Sequence, residues 1–230
     1  MVDMADLKKR PNDSGEDALL VPTGTPLYES LSAKLIAFDR LLSTLGQGGY
    51  SGFVRVLGSG VNSILLFRNG NMIDCLWRDR DGLNLGDPAL AKAQALIQAG
   101  DAVVDVVDLE PEMVDSLHHL ASGTQTYPEM FASWVNMEGL VEFLKQRNFT
   151  GTISVRSNSG GGVLMLRHGE LAGAFTTSSR ELATDQGEVV ALCGDPEARI
   201  EVRSGAGQQG GARHDEEAAE SARSVAEVGS

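Results

Sequence analysis

The sequence predicts an α+β fold built from two tandem repeats, each with a helix, a three-stranded antiparallel meander, a second helix and a last strand. Two observations support this prediction. Turn and core residues of the first half recur in the second half 99 positions later, as Gly52 and Gly151 show. Within each half, apolar residues first recur every three to four positions, as in a helix, and then alternate or form short continuous runs, as in strands.

The repeat extends through most of each half. Ile64 to Arg68 reads ILLFR, and Val163 to Arg167 reads VLMLR, again 99 positions apart. Gly100-Asp101 and Gly194-Asp195 are 94 positions apart, so the first copy is five residues longer before its second helix. We expect a loop there. Upstream, the matched positions are apolar in both halves: Leu31, Leu35, Phe38, Leu41 and Leu45 correspond to Met130, Trp134, Met137, Leu140 and Leu144.

The first half of each unit is predicted from its apolar pattern. In the first copy, Leu31 to Leu45 carries one apolar stripe and predicts an amphipathic helix. A strand from Phe53 to Leu57 follows. The next strand, Ile64 to Phe67, is apolar on both faces, which predicts a cover on each side of the sheet. One helix covers only one face, so a neighbouring helix or the other copy must supply the second cover.

Turn residues place the rest of the unit. A third strand from Asn71 to Trp77 follows Asn69-Gly70, a dipeptide that favours a tight hairpin. Asp87-Pro88 predicts the start of a helix that Gly100 ends. A last strand from Ala102 to Val107 completes the unit.

These elements divide the chain into five segments. They are a leader (1–27), the first unit (28–108), a linker with a short helix (109–128), the second unit (129–203) and an acidic tail (204–230). The two termini hold too little apolar area to offset chain entropy, so we expect them to be disordered. A unit of this size is marginally stable alone, so the two units should pack together or form a homodimer.

Composition narrows the functional classes. A net charge of −13 argues against nucleic acid and anionic membranes as partners. No stretch approaches the roughly 20 apolar residues that span a bilayer, and no signal peptide is visible, so we expect a cytoplasmic protein. Cys75 and Cys193 each lie in an apolar run, which predicts reduced thiols in the core.

The order of these motifs resembles the PATAN domain, a bacterial signalling domain named after a cyanobacterial response regulator. The resemblance covers residues 28–108 and 129–203 and includes Arg-x-Gly-x-Met at Arg68 and Arg-x-Gly-x-Leu at Arg167. It implies a domain that mediates protein contacts without catalysis. The family supplies no catalytic residue to transfer to this chain.

Local motifs predict no catalytic, cofactor or metal site. Gly160-Gly161-Gly162 lacks the ending of a phosphate-binding loop and favours a hairpin tip. His118 and His119, with Asp115 one turn before, suggest metal ligands, but adjacent histidines point about 100° apart on a helix. In the cluster Thr176 to Ser179, Ser179 favours a helix cap over a phosphorylation site.

The most individual feature of the sequence is the loop WRDRDG at residues 77–82, found only in the first copy. Tryptophan and arginine are enriched where binding energy concentrates, so Trp77, Arg78, Asp79 and Arg80 form a candidate partner contact. The alternative is a solvated loop whose Arg and Asp side chains pair weakly.

Together these observations predict a non-enzymatic protein–protein interaction module, an adaptor or scaffold in bacterial signalling. The sequence does not identify its protein partner. The alternative function is a small-molecule sensor with a pocket between the two repeats.

Overall fold

The computed structural model describes residues 20–205, which form two antiparallel sheets and five α-helices. The predicted α+β class is therefore confirmed. The leader was expected to extend to residue 27, but Val21 is buried and a strand begins at Thr25. The rest of the predicted leader (1–19) and most of the predicted tail (206–230) lie outside the described residues.

The first half of the described chain forms a six-stranded sheet and two helices. In chain order its elements are β1 (Thr25–Ser32), α1 (Phe38–Gln47), β2 (Gly52–Gly58), β3 (Val61–Arg68), β4 (Asn71–Asp79), β5 (Gly82–Leu85), α2 (Asp87–Ala99) and β6 (Val103–Asp108). Across the sheet the strands follow the order β1-β6-β2-β3-β4-β5. Every neighbouring pair in this sheet is antiparallel.

The second half forms a five-stranded sheet after a connecting helix. Its elements are α3 (Pro111–Ser122), β7 (Thr124–Phe131), α4 (Met137–Gln146), β8 (Gly151–Ser157), β9 (Gly160–Arg167), β10 (Glu170–Thr176), α5 (Gly187–Leu192) and β11 (Arg199–Ser204). Across the sheet the order is β7-β11-β8-β9-β10. Within residues 20–205, no helix is long and apolar enough to cross a membrane.

The prediction that each unit opens with a helix is wrong. Leu31, the expected start of the first helix, lies in β1 opposite Val104 of β6. After a short 3-10 turn (Ala33–Leu35), α1 begins at Phe38. Pairing with a strand that lies more than 70 residues later in the chain overrides the local helical spacing. Leu35, expected on the buried stripe, is 86% exposed.

The five extra residues of the first copy form a strand where a loop was expected. β4 continues to Asp79, and the turn at Gly82, which has a φ of 121°, leads into β5. Such a positive φ strains any residue that carries a Cβ. The first sheet therefore contains a four-stranded β2-β3-β4-β5 meander and not the predicted three-stranded one. In the second half, a single bridge between Ala174 and Ala183 lies beside β10.

Helix α3 packs between the two sheets and covers the inner face of each. Its Val114 and Leu117 belong to an inner apolar cluster that draws on both sheets. The double-sided apolar pattern of β3 and β9 is thereby explained, since α1 and α2 cover the outer face of the first sheet and α4 and α5 that of the second. The other main members of the inner cluster are Phe53, Ile64, Leu66, Leu76, Val163, Met165 and Phe175.

Two arginine–carboxylate ion pairs and one contact between a histidine and a carboxylate join α3 to the two sheets. Asp115 lies 2.8 Å from Nε of Arg68 on β3, and Glu112 lies 3.7 Å from Nη1 of Arg167, which follows Arg68 by 99 positions. His118 lies 3.4 Å from Asp74 on β4. Both arginine pairs are well exposed, so each contributes at most about 1 kcal/mol. The apolar cluster therefore holds α3 in place.

This packing predicts that Leu117→Ala lowers the free energy of unfolding by about 2–5 kcal/mol, because it leaves a cavity between the sheets. Leu117 is 4% exposed. Leu35→Ala, the same change at an exposed site, should shift the free energy of unfolding by no more than about 0.5 kcal/mol. Urea unfolding followed by circular dichroism measures both. Equal effects of the two substitutions would contradict the central position of α3.

Candidate interaction surface

Trp77, the centre of the predicted partner contact, is a core residue. It is 7% exposed and packs in the outer cluster of the first sheet. Its indole Nε1 donates a hydrogen bond to Asp79 at 2.6 Å, and Lys92 lies 3.3 Å from the same carboxylate oxygen. The indole hydrogen bond is the main cause that holds the pKa of Asp79 below its ordinary value. Trp77 thus offers almost no area to a partner.

The other three predicted contact residues differ in exposure. Arg78 and Asp79 are half-buried on β4, whereas Arg80 is exposed in the turn that leads to β5. Nε of Arg78 is buried and has no hydrogen-bond partner among the described residues. Of the four, Arg80 is the one placed to meet another protein directly.

The glycine-rich segment lies at a hairpin, as predicted. Ser157 pairs with Gly160 where β8 turns into β9. Gly162 lies under α5, where a Cβ would come within 2.9 Å of Leu192. The glycines therefore allow close packing of sheet and helix. Ser179, in contrast, does not cap α5, because the helix begins at Gly187, whose N–H donates to Asp185.

The two adjacent histidines meet different neighbours. His118 faces Asp74, while His119 packs against Gly205. Burial is the main cause that lowers the pKa of His119. Within residues 20–205, no group of three His, Cys, Asp or Glu side chains is placed to hold a metal ion.

An exposed aromatic group that the sequence analysis did not single out lies at the start of the second unit. Trp134 is 75% exposed on the 3-10 turn after β7. Its ring lies 4.8 Å from that of Phe131, centroid to centroid. The guanidinium carbon of Arg199 lies 3.2 Å from the centroid of the Phe131 ring. We call this group, together with Arg156 and Glu129, the Trp134 surface.

The alternation of β11 explains on which face of the second sheet Arg199 lies. Ile200 and Val202 point into the outer cluster of the second sheet. Residues 199, 201 and 203 therefore lie on the inner face, toward α3. At one end of β11, Arg203 donates to the carbonyl of Gly123, beside α3. At the other end, Arg199 lies at the Trp134 surface.

The charges of the Trp134 surface are only partly balanced. Arg199 on β11 lies directly opposite Arg156 on β8, and like charges in such a pair disfavour each other. Glu129 lies 3.0 Å from Arg156, but their side chains are 43% and 66% exposed, so water screens the pair. A further carboxylate would therefore relieve repulsion here, on a chain whose net charge is −13.

The matching position of the first unit lacks these features. Leu35 occupies the same place on its 3-10 turn as Trp134 and is also exposed. There Ser32 pairs with Val103, whereas in the second unit Phe131 pairs with Arg199. The sequence shows Phe131, Trp134 and Arg199 only in the second copy. That Phe131 lies opposite Arg199 becomes visible only from the strand pairing.

Residues 19–121 match a family described as an uncharacterized protein conserved in archaea (DUF2226). The DUF2226 match covers the first sheet, α1, α2 and nearly all of α3. It stops before β7, so the Trp134 surface lies outside it. No curated protein and no solved structure matches the chain.

The DUF2226 match overturns the resemblance to PATAN domains. That resemblance placed residues 28–108 in a bacterial signalling family, whereas the family that matches this segment is conserved in archaea and uncharacterized. The turn glycines and core positions behind the resemblance recur in many small antiparallel sheets, because they follow from hairpin geometry. The resemblance therefore gives no support for a role in bacterial signalling.

The two tryptophans should respond differently to truncation. Trp77→Ala is expected to lower the free energy of unfolding by about 3–5 kcal/mol, because it empties a core site. Trp134→Ala should change it by about 0.5 kcal/mol or less, since the ring is exposed. Urea unfolding curves of the two variants measure the difference. A large loss of stability in Trp134→Ala would show that the aromatic stack is a structural element.

The two cysteines should also differ in reactivity. Burial raises the pKa of Cys75 to about 11. At pH 8 its thiolate fraction is about one in a thousand, which makes the thiol inert. Cys193 is half-buried, and burial raises its pKa as well. Iodoacetamide at about pH 8 should therefore label Cys193 first and Cys75 only after unfolding.

The same shift predicts a loss of stability in alkali. The raised pKa of Cys75 means that its neutral thiol contributes stability below its ordinary pKa of 9.0. That contribution is lost as the pH rises from 9.0 toward 11, since the thiol exposed by unfolding then gives up its proton while the buried thiol keeps it. A Cys75→Ser variant, which does not titrate in this range, is the control. In the iodoacetamide experiment, equal labelling rates for Cys75 and Cys193 in the folded protein would contradict the buried position of Cys75.

Proposed function

We propose that the protein is a non-enzymatic interaction module, an adaptor or scaffold that binds an acidic segment of another protein at the Trp134 surface. The observation that carries this proposal is the contact of exposed Trp134 with Phe131, whose ring also contacts Arg199 at the end of β11. Tryptophan and arginine are the residue types most enriched where protein interfaces concentrate their binding energy. Phe131 and Arg199 are already in contact before binding, so they lose less entropy when a partner arrives.

The charge of the surface supports an acidic partner. Arg156 and Arg199 lie side by side with Glu129 as a screened counterion. A carboxylate of a partner would accept hydrogen bonds from guanidinium groups, and such charge-assisted bonds are stronger than neutral ones. Apolar side chains next to that carboxylate would cover the exposed ring of Trp134. Binding should therefore weaken as salt is raised.

We also propose that the two sheets are copies of one unit that have diverged in function. The order β1-β6-β2-β3-β4 of the first sheet corresponds to β7-β11-β8-β9-β10 of the second. The α1 and α4 helices begin 99 positions apart, as do β2 and β8. On this view, the second copy provides the partner contact. A cytoplasmic location and the exclusion of nucleic acid and membranes as partners remain predictions.

The alternative of a small-molecule sensor required a pocket between the two repeats. The inner cluster fills that space with apolar side chains. A cleft of about 640 Å³ lies instead between the end of α2 and the start of α1, lined by Lys34, Asp39, Gln94 and Gln98 among others. A thermal-shift screen tests this alternative, because a ligand that binds only the folded state must raise the melting temperature.

The adaptor proposal predicts which substitutions abolish partner capture. Trp134→Ala and Arg199→Gln should each weaken the captured complex by about tenfold or more, because interface hot spots contribute about 2 kcal/mol or more. Leu35→Ala removes an exposed apolar residue from the matching turn of the first unit and should leave capture unchanged. The measurement is affinity capture from native lysate, followed by titration of the captured protein. A partner that binds all four proteins equally would refute a role of the Trp134 surface.

A further inference from the structure

The chain itself carries an acidic segment that follows the last strand of the second sheet. Residues 206–230 contain two arginines and five carboxylates, which are Asp215, Glu216, Glu217, Glu220 and Glu227. This segment begins at a fixed point, since the Gly205 N–H donates to the carbonyl of Thr150 and Gly205 packs against His119 on α3. It therefore starts at the edge of the inner face on which Arg199 lies.

The distance from this point to the arginines fits the length of the segment. Arg199 and Ser204 are the two ends of β11, so they lie roughly 17 Å apart at about 3.3 Å per residue. Asp215 follows Gly205 by ten residues, three of which are glycine. A glycine-rich chain of that length has a root-mean-square span of roughly 18 Å. A linker whose span matches the separation of two sites gives the highest effective concentration.

We propose that the acidic run in residues 215–220 docks on the Trp134 surface and competes there with the protein partner. Its carboxylates would pair with Arg156 and Arg199, and the alanines within the run would lie against the ring of Trp134. The inference rests on the proposed function in one respect, which is that this surface prefers acidic segments. It adds a named intramolecular competitor, so a partner must displace residues 215–220 before it binds.

The acidic leader fits the surface less well. Leu20 packs near Gly161, which lies opposite Arg156. Asp17 is three residues from Leu20 and so spans at most roughly 10 Å, whereas β7 lies three strands from β9, or roughly 14 Å. Asp13 and Glu16 are close enough in the chain to reach the surface, but Lys8, Lys9 and Arg10 bring the net charge of residues 1–19 to −2, against −4 for residues 215–220 alone.

The test uses the full chain and the fluorescence of its two tryptophans. Trp77 is buried, so acrylamide should quench mainly Trp134, and a Trp134→Phe variant measures the remainder. The tail variant carries Asp215→Asn, Glu216→Gln, Glu217→Gln and Glu220→Gln. The matched control removes the same number of charges from the leader with Asp3→Asn, Asp6→Asn, Asp13→Asn and Glu16→Gln.

At low salt we expect the tail variant to show about twofold stronger quenching of Trp134 than the wild type. The difference should vanish in about 0.5 M NaCl, where charges more than a few ångströms apart are screened. The leader variant should behave like the wild type. Equal quenching of wild type and tail variant would overturn the proposal, and so would stronger quenching in the leader variant. Protection that rises with protein concentration would indicate a second copy as the occupant and would also overturn it.

Partner capture distinguishes failure of this inference from failure of the proposed function. If both hold, the tail variant should capture more partner than the wild type, because its competitor is weakened. If both proteins capture the partner equally and show equal quenching, docking of the tail is refuted and the adaptor proposal still holds. If quenching follows the expectation but neither protein captures a partner, docking of the tail holds and the adaptor proposal fails.

Discussion

The burial of one helix between two sheets is the constraint on which the rest of this structure depends. β3 and β9 are apolar on both faces, so each sheet needs a cover on its inner side as well as its outer side. α3 supplies both inner covers with one short apolar surface. Its ion pairs to Arg68 and Arg167 are too exposed to hold it, so apolar burial fixes how the two sheets face each other.

This arrangement also decides which parts of the inner faces stay open. A single helix covers only part of a five- or six-stranded sheet. The two sheets differ in the charged residues that lie on the uncovered part of the inner face. In the first sheet, Arg55 and Asp105 form a buried pair at 2.9 Å, and the Ser30 N–H donates to the same carboxylate. In the second sheet, no carboxylate within residues 20–205 forms a buried pair with Arg156 or Arg199. One scaffold thus presents a neutralised face in one half and a cationic, aromatic face in the other.

The family match divides the molecule in the same way. DUF2226 covers the first sheet and nearly all of α3, and it ends at residue 121. A property shared with that family would therefore reside in the first sheet or in α3. The Trp134 surface and the tail belong to the part of the chain beyond the match, where the proposed adaptor function is placed.

The sequence by itself determined the elements whose partners are close in the chain. It gave the hairpin turns, the double-sided strands and the apolar stripe of α3, because each depends on neighbouring residues. It could not give β1 and β7, since their partners β6 and β11 follow more than 65 residues later. Their pairing moved Leu35 and Trp134 from an expected core to the surface, while Trp77, the last residue of the predicted third strand, is buried in the outer cluster of the first sheet. Only the tertiary structure shows which of the two tryptophans is exposed to solvent, because burial depends on contacts that local spacing does not encode.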